Sequence, residues 1–242
     1  MHASVRVIFF SLGLLARATL GMGAAAAADI DSDLITGQQA YRDHDYAAAM
    51  AQLRPLAEYG NDPTAQYIVG TMYSHGEGVA RNAREAARFY RLAARQGHAD
   101  AAFALAFLLY YGQGEGPNAV EADPGAAAQW MAQAAQRGNP SAQYFLGHMF
   151  MTGDGAAKDP AAARYWLTEA ANGGVVAAQF EVGLLLAREP SYSDAVEAYK
   201  WFDIAARVHY PGAEQNRKVV ADRLNGQDLQ RATDLANAWR PR

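Results

Sequence analysis

The chain has 242 residues, 51% of them apolar and 19% charged, the composition of a folded domain rather than of a disordered tail. Its formal net charge of −4 has the wrong sign for a nucleic-acid binder, so no nucleic-acid partner is expected. Cysteine is absent, which excludes disulfides, thiolate metal sites, thiol nucleophiles and a lipid-modified N-terminal cysteine.

Residues 1–28 read as a secretory signal. Arg6 precedes the apolar run from Val7 to Ala16, and Ala26, Ala27 and Ala28 place small side chains ahead of Asp29, as a signal peptidase requires. Arg17 interrupts the apolar stretch before it reaches the roughly 18–20 residues of a membrane span. The expectation is a chain cleaved near Ala28 and located in a bacterial periplasm or outside the cell, with no transmembrane segment in residues 29–242. Retention of the leader as an anchor is the alternative.

From residue 29 onward every segment reads as helix. Residues 29–60 form an opening pair marked by Gly37, Tyr46, Ala49 and Leu53, with a kink expected at Pro55. A repeat then sets in. AQYIVGTMYSHGEGV at Ala65 returns as AAFALAFLLYYGQGEG at Ala101, as AQYFLGHMFMTGDGA at Ala142 and, more weakly, as AQFEVGLLLAREP at Ala178, 36 to 41 residues apart. Each copy is followed by a second half, AARFYRLAARQG, AAQWMAQAAQRG, ARYWLTEAANGG or AYKWFDIAARVH. The repeats are bounded at 62–97, 99–138, 139–174 and 175–209, the longer one carrying about five extra residues after Gly114.

Start and stop signals frame both halves. Asp62, Asp123, Asn139 and Asp159 each precede a proline, an arrangement that caps a helix whose first residue needs no N–H, and Asn82 with Glu85 has capping-box spacing. Gly76, Gly112 and Gly153 end the first halves and Gly97, Gly138 and Gly174 the second, where a left-handed C-terminal cap is expected. In the fifth pair Glu189 and His209 stand in place of these glycines. Helices of 12 to 15 residues are marginal alone, so each must bury an apolar stripe against its neighbours. The alanine pairs Ala93-Ala94, Ala134-Ala135, Ala170-Ala171 and Ala205-Ala206 allow close backbone approach, and Phe89, Trp130, Trp166 and Trp201 fill the space between layers. Residues 210–242 fit no repeat and read as two capping helices broken near Asn225-Gly226. The fold class is therefore all-α, an α/α superhelical solenoid of stacked helix pairs with a C-terminal helical cap.

The pattern A-x-x-x-(L/V)-G-x-x-Y-x-x-G-x-G-V followed by A-x-x-(W/Y)-x-x-x-A-A-x-x-G resembles the Sel-one-like repeat, a relative of the tetratricopeptide repeat whose plainer spacing the opening pair follows. Nearly all of residues 29–242 is covered. Catalytic signatures are missing beside it. None of the seven serines lies in G-x-S-x-G or S-x-x-K, and the six histidines form no H-x-x-x-H or H-E-x-x-H pair, so neither a hydrolase nor a metal site is expected. The loops Gly76-Glu77-Gly78, Gly112-Gln113-Gly114 and Gly153-Asp154-Gly155 lack the lysine of a phosphate loop and the oxygen spacing of a calcium loop, and are read as helix reversals. No cofactor is expected.

By analogy with tetratricopeptide domains, the first helix of each pair lines a concave groove. That rule places Tyr41, Arg42, Tyr67, Thr71, His75, Phe103, Phe107, Tyr110, Tyr111, Tyr144, His148, Met151 and Arg188 on the inner wall. Tyr67, Phe103, Tyr144 and Phe180 recur at one register and are assigned to packing between layers. Tyr41, Arg42, Phe107, Tyr110, Tyr111, His148 and Met151 are the candidate partner-binding residues, since aromatic and methionine side chains anchor peptide or helix ligands. The resemblance implies a non-enzymatic scaffold or regulator of envelope signalling, exopolysaccharide production or host interaction, including regulators that restrain a sensor kinase. A protein or peptide partner in the cell envelope and a monomeric state are expected. The competing readings are binding or hydrolysis of cell-wall fragments or β-lactam-type molecules, disfavoured by the missing cysteines and S-x-x-K, and a structural module of a larger assembly that makes contacts through its ends.

Overall fold

The computed structural model describes residues 32–242 except 60 and 190. The expected leader, residues 1–28, lies outside the described residues. Helices follow one another at the capped boundaries: α1 (residues 32–42), α2 (Tyr46–Glu58), α3 (Pro63–His75), α4 (Ala83–Arg95), α5 (Ala99–Tyr111), α6 (Pro124–Gln136), α7 (Pro140–Thr152), α8 (Pro160–Asn172), α9 (Val176–Ala187), α10 (Tyr192–Arg207), α11 (Ala213–Ala221) and α12 (Gly226–Ala238). Among the described residues there is no strand beyond one isolated bridge, and no helix is long and apolar enough to cross a membrane. The described residues divide into two compact units, the first ending at Phe89 and the second running from Tyr90 to Arg242.

The helix ends form as their side chains dictate. The carboxylates of Asp62 and Asp123 accept from the backbone N–H of Ala65 and Ala126 at 2.7 and 2.9 Å, and the Asn139 amide oxygen accepts from Ala142 at 2.8 Å. Asp159 takes two such bonds at 3.0 Å, and Asn82 accepts from Glu85 at 3.1 Å. Gly76, Gly97, Gly112, Gly138, Gly153 and Gly174 all have positive φ, a conformation that costs other residues about 1–2 kcal/mol. The degraded fifth pair departs from this in one place only. Its first helix ends on Arg188 in the right-handed region, whereas His209 keeps the left-handed turn at φ 57° without a glycine. Pro55 sits inside α2, which continues to Glu58. The insertion after Gly114 folds as a short 3₁₀ turn, Gly116–Asn118, closed by a two-way backbone bridge between Gln113 and Val120 at 2.9 and 2.8 Å.

In the first unit α2 packs on α3 around buried Ala49, Leu53, Leu56, Ile68, Val69 and Met72. Tyr73 of α3 stacks on Phe89 of α4, with ring centroids 5.9 Å apart. Glu77, in the loop after α3, accepts from the Tyr41 hydroxyl at 2.9 Å and the Tyr46 hydroxyl at 3.4 Å.

In the second unit the pairs α5–α6, α7–α8 and α9–α10 pack internally, and α6 on α7 and α8 on α9 join them into a series. The paired alanines line the joints: Ala93, Ala94, Ala134, Ala135, Ala170, Ala171 and Ala205 are all buried. Two further devices recur. A Cβ added to Gly147 would stand 2.8 Å from the Leu167 side chain, and one added to Gly183 would stand 2.8 Å from Phe202, so these helix-interior glycines are required by close crossing and not by φ. Gln143 and Gln179, buried at one repeat position, donate their amides at 3.2 Å to the carbonyls of Ala135 and Ala171 at the end of the preceding helix. Beyond α10, Asp203 is held by Arg207 at 2.6 Å and by Arg217 of α11 at 2.7 Å, while Arg207 donates to Asn237 of α12 at 2.7 Å. Trp201 meets Trp239 edge to face. Residues after His209 thus cover the exposed side of α10, the last helix of the repeats.

Candidate functional site

The second unit contains a half-open cavity of about 360 Å³ between the first helices of two consecutive repeats. From α5 come Phe107, Tyr110 and Tyr111; from α7 come Tyr144, Phe145, His148 and Thr152; Met131 of α6 and Met149 of α7 are its buried residues, and Asp154 stands in the loop after α7. Helical periodicity explains the grouping. Phe107 and Tyr111 are one turn apart, as are Tyr144 and His148, so each helix offers one stripe to the gap.

The rings form a connected set. Phe107 lies 4.7 Å from Tyr111 and 5.8 Å from Phe145, Tyr110 lies 4.8 Å from Tyr111, and Tyr144 lies 4.7 Å from His148, all steeply inclined. Burial of this set is incomplete. Phe107 is 42% exposed and Tyr111 59% exposed, so two large apolar side chains remain in water at the mouth of a cavity. Isolated apolar side chains on a surface are ordinary, whereas here two exposed aromatic rings stand together at the rim of one concavity.

Carboxylates fix the polar edges. Tyr110 donates its hydroxyl to Asp154, which holds the phenol proton and raises its pKa above the ordinary value. Tyr144 donates to Oε1 of Glu181 on α9 at 3.0 Å, and burial together with this bond raises its pKa further. His148 Nε2 lies 3.1 Å from Oε1 and 2.9 Å from Oε2 of Glu181. Hydrogen bonding to Glu181 raises the His148 pKa against the opposing effect of burial.

Of the seven candidate residues read from the sequence, Phe107, Tyr110, Tyr111 and His148 are brought together here. Met151 is not. It faces the following repeat and packs on the cluster that contains Leu167, Val182, Trp201 and Phe202. Tyr41 and Arg42 belong to the first unit, Tyr41 half-buried on Glu77 and Arg42 exposed and bonded to Gln39 at 2.8 Å. Of the residues assigned to packing, Phe180 contacts Phe202 and Tyr210, whereas Tyr144 both packs and lines the cavity.

Asp154 and Glu181 contribute to the site without standing out in the sequence. A signal for Asp154 exists: Tyr41 and Tyr110 each stand four residues after the close-crossing position of their helix, occupied by Gly37 and Ala106, and each donates to the central acid of a later Gly-x-Gly loop, Glu77 or Asp154. Among the described residues no group of three or more histidines and carboxylates is placed to hold a metal ion.

A model of the Sel1 repeat matches residues 63–98, 99–139, 140–175 and 176–208. The chain belongs to the Sel1 repeat family. The Sel1 repeat protein from Oxalobacter formigenes superposes with a TM-score of 0.66 at 24% identity, over 84% of this chain and 82% of that one. A protective antigen of uropathogenic Escherichia coli strains with an SLR fold gives 0.52 at 24% identity, over 89% of this chain. This chain spans 54% of that antigen's length. At such identities the likeness is one of fold. Sel1 repeats are in general non-catalytic scaffolds for protein interaction.

Proposed function

We propose that this Sel1 repeat protein is a non-enzymatic adaptor that binds a protein or peptide segment in the cavity between α5 and α7. The observation that carries this reading is the exposure of Phe107 and Tyr111 at the mouth of that cavity. Aromatic side chains held rigid by neighbouring rings lose little entropy on binding, which is why they dominate the energetics of interfaces.

Residues 1–28 support an exported location, with the partner in the cell envelope and a role in envelope signalling. Mass spectrometry of the protein recovered from a periplasmic fraction tests the location: a mature N-terminus near Asp29 is expected, and an intact leader in the cytosolic fraction overturns it. Partner binding is tested by capture on the immobilised protein and on a Phe107→Ala, Tyr110→Ala, Tyr111→Ala variant shown by circular dichroism to be folded. A partner retained by the first and lost by the second is expected. Equal retention by both moves binding away from the cavity.

A further inference from the structure

The cavity is one-sided in charge. Asp154 is a carboxylate at its rim, no lysine or arginine lines it, and its histidine is already engaged by the Glu181 carboxylate 2.9 Å away. Two of its three tyrosines have already committed their hydroxyl protons to carboxylates, Tyr110 to Asp154 and Tyr144 to Glu181. A phenol donating to a carboxylate gains electron density in its ring, which deepens the negative face of the π system. The rings are also inclined at 55° to 82° to one another, so they do not cover each other's faces as a flat stack would. The lining therefore offers aromatic faces and a carboxylate, and its one basic group, His148, is balanced by Glu181.

That combination recognises a cation, which an aromatic face attracts through its quadrupole most strongly where water is excluded. The space of about 360 Å³ exceeds what a bare ammonium fills. A planar guanidinium fits it better, because it stacks on a ring while its N–H fork meets a carboxylate in bidentate fashion. Resting on the reading of this cavity as the partner-binding site, we propose that the cavity receives an arginine side chain of the partner segment, stacked among Phe107, Tyr110 and Tyr111 and paired with Asp154.

The test uses capped tripeptides Gly-Arg-Gly, Gly-citrulline-Gly and Gly-Leu-Gly, titrated to millimolar concentration into protein labelled at its methionine methyls. Met131 and Met149 line the cavity and report occupancy, while Met50 and Met72 do not line it and serve as references. Citrulline keeps the shape of arginine without the charge. The arginine peptide is expected to move the Met131 and Met149 signals with roughly tenfold tighter binding than the citrulline peptide. Asp154→Asn, which keeps an acceptor for Tyr110, should abolish that preference. Citrulline or leucine binding as tightly as arginine overturns the proposal, as does the absence of movement with every peptide. If only the leucine peptide moves the two signals, the arginine assignment falls and the cavity stands as an apolar docking site. If no peptide moves them and the triple variant retains its partner, both readings fall.

Discussion

The side-chain amide of Gln133 donates to the carbonyl of Ala94 at 3.1 Å, supplying from the second helix of its own repeat the bond that Gln143 and Gln179 supply from the first helix of theirs. The reason is local: at the position of Gln143 this repeat has Ala102, and the C-terminal carbonyl of the preceding helix would otherwise lack that donor. Truncating Gln143 to alanine removes one of the bonds to the Ala135 carbonyl, which keeps the Gly138 N–H at 3.0 Å, and should cost about 0.5–1.5 kcal/mol, measurable by urea denaturation. Gln133→Ala should cost an amount near the lower end of that range, since its bond is only partly buried. Adding Ala102→Gln to the Gln133→Ala variant should restore much of the loss, whereas the same addition to Gln143→Ala should not.

Gly147→Ala and Gly183→Ala should each destabilise by about 1–3 kcal/mol, because the new methyl would meet Leu167 or the fully buried Phe202 at 2.8 Å. Gly226→Ala is the control. Nothing lies within 4 Å of a Cβ at that helix start and its φ is not positive, so it should be neutral or slightly stabilising. Thermal unfolding of the three variants distinguishes crowding from the general effect of removing glycine.

The pair of His148 and Glu181 makes stability depend on pH. The folded pKa of His148 is raised above its ordinary value, so the contribution is fully present below that value, about 6.5, and is lost as pH rises through the folded pKa. Melting temperatures of the wild type should therefore hold steady relative to those of His148→Gln below about pH 6.5 and fall relative to them as pH rises from there through the folded pKa. Parallel profiles for the two proteins would show that the pair contributes nothing measurable.

Asp203 is 6% exposed, and its two oxygens are taken by Arg207 and Arg217. Replacing it with alanine should loosen α11 and α12 at a cost of about 2 kcal/mol, less than for a fully buried pair because both arginines reach solvent. Hydrogen exchange should quicken in α11 and α12 while α5–α8 keep their protection.

Much of this architecture is legible in the amino-acid sequence, and for definite reasons. An Asp-Pro or Asn-Pro dipeptide specifies a helix start by chemistry confined to four residues, and a glycine with positive φ specifies a stop in the same way. The cavity is less legible because it depends on which side of a first helix each residue faces. Phe107 and Tyr111 border the gap from α5, Tyr144 and His148 border it from α7 while reaching forward to Glu181 of α9, and Met151, three residues past His148, packs on the cluster around Trp201. Membership of a first helix does not separate these directions. Pairing partners such as Asp154 and Glu181 are harder still, since each lies more than 30 positions from the tyrosine it accepts from.

The clasp from Tyr110 to Asp154 reaches 44 positions along the chain, about one repeat and its connecting loop. The caps of Gln143 and Gln179 reach only eight. Fastened at such short range, consecutive repeats can come away singly. Held at both ends and stretched, the repeat region should lengthen in a staircase, each step releasing close to forty residues, rather than in one abrupt rupture.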